Sequence, residues 1–208
     1  MTRGQYRSPL RDAGAEETRR KIRVAARRLF EQVGFTHTTI KQIAESAGVS
    51  VPTVYATYES KGGLVVALLE DLEADVDMGS RGAEMLAEPD ARRSLRIFVA
   101  ANRALFETGH AVLRAAIEAI GLPAVAALAS EGDANRRRGA DLLAQRAEHQ
   151  GVLADDIEPV QAAETIWMLT GPQLYLLATE TLGWSADDYE QSTLTTIERA
   201  ILTPNTQR

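Results

Sequence analysis

The chain has 208 residues, of which 45% are hydrophobic, so it can bury a substantial core as one large domain or two small ones. It contains no cysteine, which excludes disulfide bonds, a thiolate nucleophile and a cysteine-ligated metal site. No run of eighteen apolar residues and no cationic segment followed by an apolar leader are found, so membrane spanning and secretion are not expected and a cytoplasmic protein is predicted.

The formal net charge of -6 is distributed unevenly along the chain. Residues 1–61 contain 11 Lys and Arg against 6 Asp and Glu, a net charge of +5, whereas residues 62–208 contain 12 against 23, a net charge of -11. A basic segment on an acidic body is typical of a protein that presents one end to phosphates, although a chance fluctuation is the alternative explanation.

The first residues are predicted to form an arm followed by a helix. Residues 1–15 carry three arginines and almost nothing apolar, which indicates a disordered basic arm. Such an arm could follow phosphates or enter a minor groove, but a solvated tail is the favoured interpretation. Residues 16–33 repeat apolar side chains at helical spacing. Gly34 is expected to end this helix, and Phe35 to pack back against it.

Residues 38–61 have the pattern of two short helices joined by a tight turn. Thr39 and Gln42 have the spacing of a capping box at a helix start. Gly48 suits the left-handed conformation at the end of that helix, and the second helix begins at residue 50 or 51 with Pro52 in its first turn. This arrangement is the helix-turn-helix that places a second helix in a DNA major groove.

Several side chains of this motif are predicted to face a ligand. Val54 and Tyr58 lie four residues apart and can face inward, which leaves the residues between and before them free. Ser60 can cap the next helix and place Lys61 beside free backbone amides, a phosphate site. A generic helical corner is the alternative. The predicted DNA-contacting residues are Thr39, Lys41, Val51, Pro52, Thr53, Tyr55, Thr57 and Lys61.

Residues 19–64 resemble the DNA-binding domain of the TetR/AcrR family of bacterial transcription regulators. The resemblance rests on Phe30, Gly34, Phe35, Thr38, Thr39, Ile43, Ala44, Ala47, Gly48, Val49, Ser50, Tyr55, Ser60, Lys61 and Leu64. It implies that Tyr55 and Lys61 meet phosphates and that residues 51–53 read bases. The sequence departs from the family at Thr57, where an aromatic residue or histidine is usual, and at residues 62 and 63, where two glycines replace good helix formers.

The remainder of the chain is predicted to be helical throughout. A long helical pattern starts at Leu64, the sequence Glu88-Pro89-Asp90 interrupts the chain, and a further helix covers residues 91–107. More helix ends are expected at Gly109, at Gly121 with Pro123, and within residues 131–139. No convincing alternating strand pattern is found, so an all-α bundle is predicted.

The last two helices are predicted to form a dimer interface. Residues 160–182 are almost continuously apolar, and a final helix is expected from a cap at Ser185 to about Leu202. Two helices this apolar are best explained by pairing with a second copy, and the family resemblance implies the same four-helix arrangement. The predicted interface residues are Leu174, Ala178, Thr193, Ile197 and Ile201.

A ligand site is expected between the helices of the body, although core packing alone could explain most of its residues. Its predicted lining is Phe98, Asn102, Phe106, Trp167, Met168 and Tyr175. No metal is assigned, because the three histidines lack metal-ligand spacing, and no cofactor is expected. The sequence Arg136-Arg137-Arg138 is interpreted as a solvated helix face, neutralised by nearby acidic residues.

These observations predict an all-α protein with a three-helix helix-turn-helix domain and a helical ligand-binding and dimerisation bundle. The predicted boundaries are 1–15 for the arm, 16–61 for the DNA-binding domain and 62–204 for the bundle. The predicted function is a ligand-responsive regulator, most simply a repressor, that binds a pseudo-palindromic double-stranded DNA operator as a homodimer and is released by a small-molecule inducer. The alternatives are a non-specific architectural DNA-binding protein and an enzyme using acidic residues or histidine of the body, for which no catalytic motif is found.

Overall fold

The computed structural model describes the backbone of residues 9–204 and the side chains of residues 13–204. Within this range the fold is all-α, and two residues, Leu153 and Leu202, form an isolated β-bridge. The eleven helices are α1 (Pro9–His37), α2 (Ile40–Ala47), α3 (Val51–Tyr58), α4 (Lys61–Asp75), α5 (Met78–Ala87), α6 (Ala91–Thr108), α7 (His110–Glu118), α8 (Pro123–His149), α9 (Pro159–Leu169), α10 (Pro172–Leu176) and α11 (Ala186–Ile201).

Helix α1 is longer than expected at its start and is broken where predicted. It begins at Pro9, so residues 9–15 are helical rather than part of a disordered arm, because leucine, arginine and alanine there favour a helix. Residues 1–8 of that predicted arm lie outside the described residues. At Gly34 the backbone has φ 80°, and the ring of Phe35 packs back on Phe30 with centroids 5.6 Å apart, as predicted.

The helix-turn-helix forms through the predicted local signals. Thr39 and Gln42 make both hydrogen bonds of the capping box at the start of α2. Gly48 adopts the left-handed conformation with φ 69° at the end of α2, and the Ser50 hydroxyl accepts from the backbone amide of Thr53 at the start of α3. The predictions of the capping box and of Gly48 are confirmed, and α3 begins at Val51 with Ser50 as its cap.

The two glycines at the start of α4 are required by close packing. A Cβ atom at Gly63 would overlap the carbonyl oxygen of Tyr58, and one at Gly62 would lie 2.9 Å from the side chain of Leu122. Helix α4 nevertheless begins at Lys61, with the Ser60 hydroxyl accepting from the amide of Gly63. Gly63 therefore replaces a better helix former because a side chain would not fit, whereas a side chain at position 62 would require Leu122 to move.

The hydrophobic core around the helix-turn-helix extends beyond the predicted boundary at residue 61. It includes buried residues of α4 and, from a distant part of the sequence, one face of α7 with the first turn of α8. These added residues are Leu64, Val65, Leu68, Val112, Ala115, Ala116, Ala119 and Val125. Helices α4 and α7 therefore connect the N-terminal domain to the bundle.

Two expectations about helix ends in the bundle are wrong. Helix α8 runs through residues 131–139, because Gly139 provides space for the ring of Phe98, whose Cε2 would lie 2.6 Å from an added Cβ. The predicted long helix over residues 160–182 is interrupted after Leu169, where Gly171 and Pro172 end α9 and start α10. Helix α10 then continues as a π-helical segment, Leu177–Thr181.

Four of the five residues predicted for the dimer interface are buried within the same protomer. Ala178, Thr193, Ile197 and Ile201 are 5% exposed or less, and only Leu174 retains partial exposure. Their helices cover the other helices of the same chain, which the sequence pattern cannot distinguish from covering a second copy.

Within residues 9–204, none of the helices is long and apolar enough to span a membrane.

Candidate functional site

The outer surface of α3 presents the side chains predicted to contact DNA. Pro52 and Tyr55 are exposed, Val51 and Thr53 are half-buried, and Val54 is buried in the core, so one face of the helix points away from the protein. The Thr57 hydroxyl donates to the carbonyl of Thr53 at 2.7 Å, which leaves its oxygen able only to accept. A short helix with a free outer face has the dimensions needed to enter a major groove.

Thr39 and Lys41 lie at the start of α2, beside this surface. Thr39 is exposed, and its hydroxyl is occupied in the capping box with Gln42. The Lys41 side chain is 78% exposed, and its ammonium is 3.9 Å from the carboxylate of Glu45. Lys41 can therefore turn toward a phosphate at little cost.

Lys61 has a structural role that the sequence does not indicate. Its ammonium donates to the carbonyl oxygens of Phe35 at 2.6 Å and Thr38 at 2.8 Å and lies 4.0 Å from the centre of the Phe35 ring. Desolvation lowers the pKa of this ammonium, an effect partly opposed by the Glu118 carboxylate. Two of its three hydrogens are used within the protein, so one remains for a phosphate.

Arginines of α1 surround the motif and were not among the predicted DNA-contacting residues. The guanidinium of Arg28 donates to the hydroxyl of Ser46 on α2 at 2.7 Å. Arg23 donates to the hydroxyl of Tyr58 at 3.3 Å and is paired with Asp71 at 2.7 Å. Arg28 is exposed and adds positive charge beside the motif, and its position on α1 follows from the helical register of residues 16–33.

A cavity of ≈ 810 Å³ lies in the bundle between α4, α5, α6, α7 and α8. Its lining is mostly apolar, as expected of a site for a small organic molecule. The apolar side chains of its wall include Leu69, Met78, Met85, Phe98, Leu105, Phe106, Leu113, Ile117, Ile120 and Leu128. Two methionines and several aliphatic side chains give this wall a flexible surface.

Half of the predicted pocket residues line this cavity. Phe98, Asn102 and Phe106 do so, whereas Trp167 and Met168 lie at a separate shallow depression outside the bundle. Tyr175 is packed behind the cavity, with its ring 5.1 Å from that of Tyr189. These three residues lie on α9 and α10, and the break at residues 170–172 changes the direction in which the faces of these helices point.

Several polar side chains also line the cavity, and some of them are paired within the protein. Asn102 is buried, and its amide nitrogen donates to the carbonyl of Phe98 at 2.8 Å. Burial raises the pKa of Glu73, with a further contribution from Glu131. Burial lowers the pKa of Arg136, although Asp133 opposes this by pairing with it. The sequence had indicated a solvated helix face at Arg136, but this side chain is largely buried.

The N-terminal sequence decides the family. Residues 22–68 match the family model described as bacterial regulatory proteins, tetR family. This part of the chain therefore has the DNA-binding domain of the TetR family. The matched residues cover α2, α3 and most of α1 and α4, so the family prediction made from the helix-turn-helix is confirmed.

The chain is also similar in sequence to a named transcription regulator. The HTH-type transcriptional regulator TtgR of Pseudomonas putida is 39% identical over 82 residues, which is 39% of this chain and 39% of that protein. The chain therefore matches about two fifths of the length of this relative. It is named as a transcription regulator, not as an enzyme.

The similarity to solved structures covers the bundle as well as the N-terminal domain. The SmeT-triclosan complex has a TM-score of 0.71 at 16% identity and covers 92% of this chain and 94% of its own. NalD, a repressor of a multidrug efflux pump in Pseudomonas aeruginosa, has a TM-score of 0.68 at 22% identity and covers 91% and 98%. At these identities the comparison establishes the fold alone, which confirms the predicted N-terminal helix-turn-helix with a C-terminal helical bundle.

Proposed function

We propose that this protein is a ligand-responsive transcription regulator that represses its target genes by binding a specific double-stranded DNA operator in the cytoplasm. The observation that carries the proposal is the free outer face of α3, held by a completely capped helix-turn-helix and flanked by exposed basic residues. In this proposal Val51, Pro52 and Thr53 contact base edges, whereas Tyr55, Lys41 and Lys61 contact phosphates. Thr39 and Thr57 lie at the edges of the same contact.

The cavity supports the second part of the proposal, release by a small molecule. Its volume of ≈ 810 Å³ and its apolar wall suit a drug-sized organic ligand, with Asn102 as a polar group among Phe98 and Phe106. One structural neighbour is a complex with triclosan, a molecule of that kind. An inducer of this class would act by binding the DNA-free arrangement more tightly than the DNA-bound one.

We propose a homodimer formed by the outer apolar residues of the terminal helices, in which Leu174 takes part among the residues predicted from the sequence. Residues 160–184 leave several large apolar side chains exposed: Val160, Met168, Leu177, Leu182 and Trp184. Leu174, which is half-buried, adjoins them. To bind a pseudo-palindromic site, this dimer must hold two copies of α3 about 34 to 36 Å apart, the spacing of successive major grooves.

The proposal is tested by selecting duplexes from a genomic library with the wild-type protein and repeating the selection with Thr53→Ala. We expect the wild type to enrich a pseudo-palindrome. The variant should prefer a different base at one position of each half-site and lose about 1 to 3 kcal/mol of binding free energy at the original site. Tyr55→Phe, which removes a proposed phosphate contact, should weaken binding without a change in the enriched sequence. If the wild type enriches no sequence, the proposal is refuted.

A further inference from the structure

The turn between α1 and α2 is held by two charged side chains from different parts of the chain. This turn, residues 34–39, sets the position of α2 and therefore of the helix-turn-helix. Lys61 holds it from α4 through the carbonyls of Phe35 and Thr38. Glu118, at the last residue of α7, holds it through Thr36: its carboxylate accepts from the backbone amide at 2.9 Å and from the hydroxyl at 3.1 Å.

The Glu118 carboxylate fits closely against this turn. An added Cβ at Gly34 would lie 3.3 Å from Glu118 Oε1, so the glycine provides the space in which the carboxylate rests. Partial burial would raise the pKa of Glu118, but the hydrogen bonds from Thr36 and the charge of Arg114 outweigh this and keep the pKa below its ordinary value. The carboxylate is thus charged at neutral pH, and charge-assisted hydrogen bonds of this kind are the stronger ones.

Helix α7 faces the DNA-binding domain on one side and the cavity on the other. Val112 and Ala115 are buried in the N-terminal core against α1. Leu113, Ile117 and Ile120 line the cavity, and Ile117 directly precedes Glu118 in the chain. Ile117 and Glu118 therefore join the cavity wall directly to the carboxylate that holds Thr36.

We infer that Glu118 is the positioning residue that couples the cavity to the helix-turn-helix, by transmitting a displacement of α7 to the α1–α2 turn through Thr36. This inference rests on the proposed function, because it names how the ligand site and the DNA surface are connected. It assigns the connection to α7, in addition to the direct continuation of the chain through α4. The physical basis is that a short helix packed on both sides moves as a unit, so a shift at one face reaches the other.

The test uses a cavity-filling substitution in place of an unidentified ligand. Ala101 on α6 is buried and lines the cavity, so Ala101→Trp introduces an indole there. Its effect on affinity for the duplex enriched by the wild type is measured in three backgrounds: wild type, Glu118→Gln and Glu107→Gln. The last is a matched control, because the Glu107 carboxylate pairs with Arg103 of the same helix at 3.0 Å.

We expect Ala101→Trp to reduce duplex affinity about tenfold or more in the wild type and in Glu107→Gln, but about threefold or less in Glu118→Gln, which has lost the charged acceptor. Thr36→Val, which removes only the hydroxyl bond, should give an intermediate factor. The same factor in all backgrounds, or no effect of Ala101→Trp in the wild type, overturns the inference.

Amide hydrogen exchange gives a readout that needs no DNA. In the full-length protein, Ala101→Trp should accelerate exchange of the Thr36 amide in the wild-type background, and the acceleration should be absent in Glu118→Gln, where that amide already exchanges faster. If the protein selects no specific DNA duplex, the proposed function is wrong. The amide exchange rate of Thr36 still tests the role of Glu118 in that case. Unchanged exchange at Thr36 in Ala101→Trp contradicts that role even if specific DNA binding is found.

Discussion

Replacing Lys61 by methionine should destabilise the protein, because the ammonium serves the fold as well as any phosphate. Lys61→Met keeps an unbranched side chain, one atom shorter, and removes two hydrogen bonds to carbonyl oxygens, at 2.6 and 2.8 Å, and a cation–π contact with Phe35. A hydrogen bond to a charged group contributes about 1.5 to 3 kcal/mol, and the low end applies here because the site is only partly buried. The expected loss is therefore about 3 kcal/mol in the free energy of unfolding.

Thermal unfolding followed by circular dichroism measures this loss. For a chain of this length, about 3 kcal/mol corresponds to a decrease of about 6 to 12 °C in the melting temperature. Lys41→Met is the control, since that side chain is 78% exposed and makes only a 3.9 Å ion pair with Glu45, so the change should stay within about 0.5 kcal/mol. Equal melting temperatures for the two variants would refute the structural role of Lys61.

Three further outcomes are expected. Gly63→Ala should destabilise the protein, because its Cβ would overlap a backbone carbonyl, whereas Gly79→Ala, with open space around it, should be neutral or stabilising by up to about 1 kcal/mol; chemical denaturation compares them. Burial raises the pKa of Tyr189 from 10.0 to about 12. The contribution of the neutral Tyr189 phenol to the free energy of unfolding is therefore complete below pH 10 and is lost as the pH rises toward 12. An ultraviolet pH titration against Tyr189→Phe tests that pKa. Leu177→Glu should give a folded monomer in analytical ultracentrifugation, and an unchanged dimer would contradict the proposed interface.

The helix-turn-helix could be predicted from the sequence because its signals are local. The capping box at Thr39, the left-handed Gly48 and the Ser60 cap each depend on residues within four positions, and all three are present. The match to the TetR family's DNA-binding domain involves the same residues. The cavity was found in part, since Phe98, Asn102 and Phe106 lie on the regular helix α6.

What failed in the prediction depends on contacts between distant residues. Gly139 was interpreted as part of a helix end, but a ring from another helix occupies the space beside it and the helix continues. The apolar residues around the terminal helices do not reveal whether the same chain or a second copy covers them. Ile197, for example, is covered by the same chain. The Glu118 to Thr36 contact joins residues 82 positions apart, and no sequence period indicates it.

The measurement that tests the central claim most directly is the ratio of affinities for the selected duplex and for a scrambled duplex of equal length, determined by fluorescence anisotropy at about 0.15 M salt. A regulator that reads bases through α3 should bind the selected duplex about 10³-fold or more tightly, and Thr53→Ala should reduce this ratio. Equal affinities for the two duplexes in the wild type, both falling steeply with salt, would mean that only phosphates are recognised and would contradict sequence-specific regulation.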